Sequence, residues 1–416
     1  MDREDDNYCF ILEAGTAWTT LALGKILEHG CAEIQNLVRI ESVGIAKSQI
    51  TDMKQVQYTI AGAVKKLGDL TDWDIGSAVM VVSGAHVAKR TEALRLPIEN
   101  GVVSEADVDE LANSAEEAAD ADKTRKNLYH EEIGYSVDNV PCNDPVGMTG
   151  KTLTRETLYV DADAARTADA ENAARKAGLE IAEFLPAGIA AALGCSTEEE
   201  RRAGTLFIDI GEGTVNWTLF AGGKVIAAAA LGVGGAHVTN DIAKAFSCPR
   251  PCAAYLKMEA SATIALDGAP PRVALPEALS ARRGATISRV ALNTVVNARL
   301  GEVFSIARQT LEREGVYHLV QRGVVLTGGG AMQKNICELA ENILGYRARL
   351  GTIAPEITFA KACRDAMPAF PGELATIAGA FAMLARNADE AAQGDEAAGE
   401  SIGRRFFNFV KGGFRK

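Results

Sequence analysis

Short apolar runs and longer amphipathic stretches alternate along the whole chain. Runs bounded by glycine or polar turns predict strands at 8–14, 19–24, 32–45, 75–82 and 87–97, with a helix over 52–67. Ser104-Glu105-Ala106-Asp107 has the spacing of an N-terminal capping box and predicts that a helix starts there. Strands follow at 128–140 and 152–160. A helix over 162–177 is stopped by Gly178, a strand covers 179–185, and a short helix over 186–194 carries proline at its start. The segments 205–210, 215–221 and 224–231, separated by Gly211–Gly213 and Gly222-Gly223, read as consecutive hairpins. Helices are expected at 238–246, 251–261 and 288–314. A strand over 323–327 ends in three glycines and opens into a helix running to Leu344, and 371–388 is the last helix of the body. This mixture of strands and helices predicts an α/β protein with helix-covered sheets.

Composition narrows the classes. The chain has 416 residues, 47% of them apolar, enough for a sizeable core and two to four structural units. With 43 Lys and Arg against 55 Asp and Glu the net charge is −12, which argues against general nucleic-acid binding. The eight cysteines are scattered and read as buried thiols rather than a disulfide framework. The start of the chain shows no basic or apolar leader pattern, and no apolar run approaches the length of a membrane span.

Candidate chemistry rests on two similar turns far apart, in FILEAGTAWTTLAL (10–23) and LFIDIGEGTVNWTL (206–219). Each is an apolar strand, an acid, an apolar residue, a glycine, a nearby threonine and another strand. Glycine lets backbone N–H groups approach an anion, and such a turn can cradle phosphate. The acid just before each turn can hold a hydrated Mg²⁺ beside that phosphate. Two facing copies would clamp a nucleotide between related domains. VLTGGGA (325–331) adds a strand ending in glycines, where backbone can lie flat against a base and ribose. Gly147–Thr152 ends like a P-loop but has Pro145 where the first glycine belongs, and it leads into a strand, so it is rejected. Cys248 and Cys252 lack a second ligand pair for zinc. His86 and His237 read as loop-packing residues, and no Ser/His/Asp arrangement is evident.

The chain resembles the FtsA family of bacterial cell-division proteins, members of the actin/Hsp70/sugar-kinase superfamily. The resemblance is carried by LEAGTA (12–17), VVSGAHV (81–87), DPVGMTG (144–150), AGLEIAEFLPAGIAAAL (177–193), IDIGEGT (208–214), TNDIAKAF (239–246), VLTGGGA (325–331) and a basic, aromatic C-terminus. It implies an actin-like two-lobed fold with duplicated RNase H-like cores. Residues 1–82 with 163–204, and 205–241 with 306–388, would form the two cores. An FtsA-type inserted subdomain would span 83–162 and a smaller insertion 242–305. It further implies ATP and Mg²⁺ in the cleft. Glu13, Gly15, Thr16 and Ala17 would serve from the first lobe, and Asp209, Gly211, Glu212, Gly213, Thr214 and Gly235 from the second. Lys257 and Gly328, Gly329 and Gly330 would hold the adenosine, and Glu13 and Asp209 the metal through water. The implied partners are other copies of the chain in a filament, the C-terminal peptide of the tubulin-like FtsZ, later division proteins, and the anionic inner membrane, on its cytoplasmic face at the division site.

Three positions depart from the family pattern. Trp18 stands where the first turn usually has lysine, Glu212 where the second has glycine, and Asn216 where an aspartate is usual. A phosphate-neutralising cation is therefore missing. Glu212 either faces the terminal phosphate, repelling it unless Mg²⁺ intervenes, or points outward. Any ATP hydrolysis is expected to be slow, and no residue announces itself as a general base. Two other readings share the superfamily: a small-molecule kinase, which would need an acid for the acceptor hydroxyl, and a PilM-type pilus-assembly adaptor.

Residues 389–400 are small, acidic and aperiodic and read as a flexible linker, with continuation of the preceding helix as the alternative. Residues 401–416 carry five basic residues and no acid, so a whole-chain charge of −12 leaves −17 on the rest. At about 100° per residue, Ile402, Phe406, Phe407, Phe409, Val410 and Phe414 fill an arc of roughly 160°. Arg404, Arg405, Lys411, Arg415 and Lys416 take the remaining side, the composition of a membrane-surface helix. The alternative is docking on the protein itself or in a partner groove. Full-length chain should sediment with anionic vesicles and lose this when salt is raised. Truncation after Glu400 or Phe406→Glu should abolish it. A truncated chain that sediments as well as the full one overturns the tail as anchor.

Overall fold

The computed structural model describes residues 7–266, 268–279 and 284–393. The chain opens with a meander, β1 (Tyr8–Ala14), β2 (Trp18–Ile26) and β3 (Ala32–Glu41). β3 is shorter than the strand expected to reach residue 45. The chain turns at Gly44, whose φ of +81° suits glycine, into a tight hairpin of β4 (Ile45–Ala46) and β5 (Gln49–Ile50). Next come α1 (Met53–Leu70), capped by the Asp52 side chain, and β6 (Ser77–Val82). An inserted unit follows: β7 (Ala88–Pro97), α2 (Glu105–Ala119), β8 (Arg125–Val137), β9 (Val140–Cys142) and β10 (Thr152–Asp163). The capping box of Ser104 and Asp107 forms at the start of α2. Then α3 (Ala164–Lys176), β11 (Glu180–Pro186), α4 (Ala187–Leu193) and α5 (Glu198–Ala203) complete the first half.

The second half repeats the opening with β12 (Thr205–Ile210), β13 (Val215–Ala221) and β14 (Lys224–Leu231). After α6 (Gly235–Ala245) and α7 (Arg250–Glu259) come a small hairpin, β15 (Arg272–Ala274) and β16 (Thr286–Ser288), and the long α8 (Arg289–Arg313). β17 (Gly323–Thr327), α9 (Ile336–Leu344), β18 (Ala348–Leu350), β19 (Ile357–Phe359) and α10 (Ala375–Gln393) finish it. Two expectations are corrected here. The helix after the three glycines is broken into a 3₁₀ turn and α9, because Gln333 reaches across to the carbonyls of Lys257 and Ala260 and Asn335 adopts a left-handed φ of +58°. The last helix runs to Gln393, five residues into the stretch read as linker; 394–416, with the C-terminal helix expectation, lie outside the described residues.

The two large sheets share one topology. The first has the order β11-β6-β1-β2-β3 with β19 added at its edge; the second has the order β14-β13-β12-β17-β18. In each, an antiparallel meander continues into strands parallel to its first member. Helices α1 and α3 cover the outer face of the first sheet, and α6, α7, α8 and α9 that of the second. Between the sheets lie α4 and α10, in an arrangement that locks the lobes together. α4 emerges from the first sheet but packs on β12, β13 and β14, while α10 packs back on β1, β2 and β3. Their backbones touch. A Cβ at Gly379 would stand 1.6 Å from the Ala190 carbonyl oxygen, and one at Gly194 1.9 Å from that of Ala375. The inserted sheet, β7-β10-β8-β9, keeps a small core of its own around Leu111, Tyr135 and Leu153. It is fastened to the second lobe where Glu131 accepts from the Val225 N–H and Lys224 donates to Glu132.

Because the α4–α10 contact leaves no room for a methyl group, Gly379→Ala should lower unfolding free energy by on the order of 3 kcal/mol or more, or prevent soluble expression. Urea denaturation against the exposed control Tyr58→Ala checks this. Equal stabilities would overturn it.

Candidate functional site

The strand ends that carry the two acids face each other across the cleft above α4 and α10. They bound a cavity of about 370 Å³, in the size range of small-molecule sites. Its wall contains Glu13, Gly15, Thr16 and Ala17 from the first turn and Asp209, Gly211, Glu212, Gly213 and Thr214 from the second. Gly235, Lys257 and Gly328–Gly330 complete the set singled out in the sequence. The Gly147–Thr152 run lies elsewhere, in the loop between β9 and β10.

The two turns are built alike. The Gly15 N–H donates to the Trp18 carbonyl at 3.0 Å, and the Gly211 N–H to the Thr214 carbonyl at 2.9 Å. They also touch, since a Cβ at Gly213 would fall 2.2 Å from Thr16 Oγ1; glycine is what lets the lobes close here. Gly328, with φ +78°, lies where a side chain would strike Asp209 Oδ1 at 2.3 Å, so its absence keeps that carboxylate open to the cavity.

Both acids are partly buried in the cavity wall, and loss of water around them sets their chemistry. Burial lifts Glu13 to about 8, assisted by the neighbouring Asp209 charge and opposed by Arg39. Burial lifts Asp209 to about 6 against the hydrogen bond from Asn216 Nδ2 at 2.9 Å. Two desolvated carboxylates facing one cavity favour a bound cation. Their all-oxygen character suits a hard divalent ion such as Mg²⁺ rather than a thiophilic metal.

The three departures find their places. Asn216 joins the lobes: it donates to Asp209 while its Oδ1 accepts from Ser83 Oγ at 3.0 Å. An aspartate there would set a third carboxylate against Asp209. Glu212 points toward α7, where Lys257 Nζ lies at 3.5 Å and Arg250 at 3.6 Å. Its carboxylate is thus paired beside Gly235 rather than aimed at the first turn, and Lys257 donates as well to the Gly235 carbonyl at 3.2 Å. Trp18, 43% exposed, lies under the Arg39 guanidinium, whose carbon is 4.9 Å from the ring centroid.

Several cavity residues escaped the sequence reading. Ser48 belongs to the β4–β5 hairpin, whose tip residues Lys47 and Ser48 both have positive φ, 53° and 54°. Its N–H donates to Thr16 Oγ1 at 3.0 Å and its hydroxyl bonds Thr214 Oγ1 at 3.2 Å, so the tip is wedged between the turns. Ser83 bonds the same threonine at 3.0 Å. Arg39 pairs with Glu373 at 2.9 Å. The one available signal was Ser83 inside the quoted VVSGAHV segment. Lys47-Ser48 lacks the Asn-Gly chemistry that announces such a turn.

Comparison with known proteins bears on family and fold. The family model for the cell division protein FtsA matches residues 206–369, and that for the SHS2 domain inserted in FtsA matches 84–160. The chain is similar to the cell division protein FtsA of Pseudomonas aeruginosa, at 28% identity over 342 residues, 82% of each chain. Among solved structures it resembles the PilM-PilN type IV pilus biogenesis complex (TM-score 0.61, 16% identity, covering 91% of this chain and 98% of that one). It also resembles MreB5 of Spiroplasma citri bound to ADP (TM-score 0.52, 13% identity, covering 94% and 100%). At those identities the structural likeness speaks for the fold.

A carboxyl whose pKa is raised on folding binds its proton more tightly in the folded chain. Glu13 therefore contributes most stability below its ordinary value of 4.5 and loses it as pH rises through about 8. In metal-free, nucleotide-free buffer the melting temperature should fall by several degrees between pH 5 and 8.5. Glu13→Gln should flatten much of that decline, and the same decline in both proteins would overturn the assignment.

Proposed function

The chain belongs to the FtsA family, an actin-like cell-division protein by that membership, and on this premise we propose that it binds ATP between its lobes and polymerises on the inner membrane. There it tethers the FtsZ ring by the C-terminal peptide of FtsZ. The observation that carries the nucleotide reading is the pair of like-built turns, each with a partly buried acid, closing on one cavity beside Gly328–Gly330. The turn N–H groups and Thr16 and Thr214 would meet phosphate oxygens, and the glycine loop with Lys257 would take the adenosine side. Glu13 and Asp209 would hold Mg²⁺ through water, and the ion supplies neutralising charge for the phosphates. Cytoplasmic-face attachment is assigned to residues 401–416. No helix among the described residues is long and apolar enough to cross a membrane; the tail's basic and aromatic composition suits attachment at the surface. Turnover is expected to be slow, because no side chain beside the turns is placed as a free general base: Glu13 and Asp209 serve the cation and Glu212 is paired. The match to the FtsA-type insertion over 84–160 favours a division protein over the pilus-adaptor and small-molecule-kinase readings.

Electron microscopy of the full chain on an anionic lipid monolayer with Mg-ATP should show filaments, and bare monolayers would overturn the polymer reading. By calorimetry Asp209→Ala should weaken Mg-ATP binding about tenfold or more, about 1.4 kcal/mol. Equal affinity would remove Asp209 from the site. Titration of an FtsZ-tail peptide tests the partner, and no binding would overturn that part.

A further inference from the structure

Resting on the reading that the cavity takes ATP, we propose that Arg39 is the residue that grips the nucleotide's phosphates from the first lobe, with Trp18 as the platform that aims it. The charge census of the cavity raises the question. Among the described residues, four carboxylates line it, Glu13, Asp209, Glu212 and Glu373, against two cations, Arg39 and Lys257. Lys257 is engaged by Glu212 and by the Gly235 carbonyl on the α7 side. The first turn, Gly15-Thr16-Ala17-Trp18, carries no cation. A polyphosphate entering this cavity finds one guanidinium on the side of the first turn.

Strand register places it there. Glu13 pairs with Thr20 across β1 and β2, and Thr20 pairs with Arg39 across β2 and β3. Residues on one rung point to one face of a sheet, so Arg39 shares the cleft face with Glu13, and its charge pulls the Glu13 carboxyl down against desolvation. The guanidinium lies over Trp18, fixing its plane by cation–π contact. One nitrogen, Nη2, is held by Glu373 at 2.9 Å, while Nε is buried without a hydrogen-bond partner. A planar fork that lines the cavity with only one nitrogen tied has hydrogen-bonding capacity to spare for an oxyanion. Phosphate oxygens compete with Glu373 for the fork. Adenosine alone supplies no oxyanion.

The rival role is a latch. Glu373 sits against the glycine loop, with its Cδ 3.8 Å from where a Gly329 side chain would start, so the Arg39–Glu373 pair also ties the first sheet to that loop. The two roles predict opposite signs. Titrate the full chain and its variants with Mg-ATP, ADP and adenosine by calorimetry, with ligand-observed NMR for adenosine. Arg39→Gln should weaken Mg-ATP and ADP about ten- to hundredfold and leave adenosine unchanged. Arg39→Lys should recover part of the loss. Trp18→Leu, at a position 43% exposed, should weaken ATP several-fold without touching adenosine. Glu373→Gln should bind ATP more tightly, because it releases the guanidinium. If Arg39→Gln binds ATP as the wild type does, or if Arg39→Gln and Glu373→Gln weaken ATP and adenosine alike, the proposal is overturned while the nucleotide reading stands. A wild-type chain that binds no nucleotide overturns both.

Discussion

The rest of the molecule depends on two helices meeting with nothing between their backbones. Each lobe sends one helix onto the other lobe's sheet, and α4 and α10 approach so closely that glycine is required at both contact points. That contact makes one continuous apolar layer out of residues from both sheets, including Ile11, Phe207, Leu193 and Phe381. Close-packed interiors transmit displacement rather than absorb it. The separation of the two acid-bearing strand ends is therefore set from below, by helix packing.

Above that layer the site is a balance of unfavourable charge. Glu13 and Asp209 are held near one another, partly buried, at an energetic cost, and the surroundings answer it with the Asn216 amide, which donates to Asp209, and with the Arg39 charge beside Glu13. Around them Ser48 and Ser83 of the first lobe bond Thr214 and Asn216 of the second, so the cleft's polar network also closes it. The Glu212–Lys257 and Arg39–Glu373 pairs stand at its partly exposed flanks, where ion pairs contribute little to stability.

The repeated architecture was legible because it is written locally. Apolar strand, acid, glycine and second strand occupy consecutive residues, and that spacing fixes both the hairpin register and the place of the acid. Meanders, the Ser104 capping box and the long helix α8 were read on the same grounds. What escaped is long-range or conformational. Arg39 looks like an outward position of an ordinary strand until Trp18 and Glu373, 334 residues away from it in the chain, come to lie beside it. The β4–β5 tip lacks the residues its positive φ angles favour, so propensity pointed elsewhere and tertiary contact with Thr16 and Thr214 prevailed. The helix after Gly330 was read as continuous because nothing nearby reveals that Gln333 caps the carbonyl end of α7.

One strand bears on how the protein is made. β19, only three residues long, lies parallel to β3 and closes the edge of a sheet whose other strands all precede residue 187. A chain emerging from the ribosome thus completes most of the N-terminal sheet long before its final edge strand and the covering helix α10 exist. For that interval β3 presents unpaired N–H and C=O groups and an apolar inner face, the combination that invites pairing with another nascent chain. Half a molecule is not a smaller version of this protein, and the first lobe reaches its finished form only when β19 and α10 arrive.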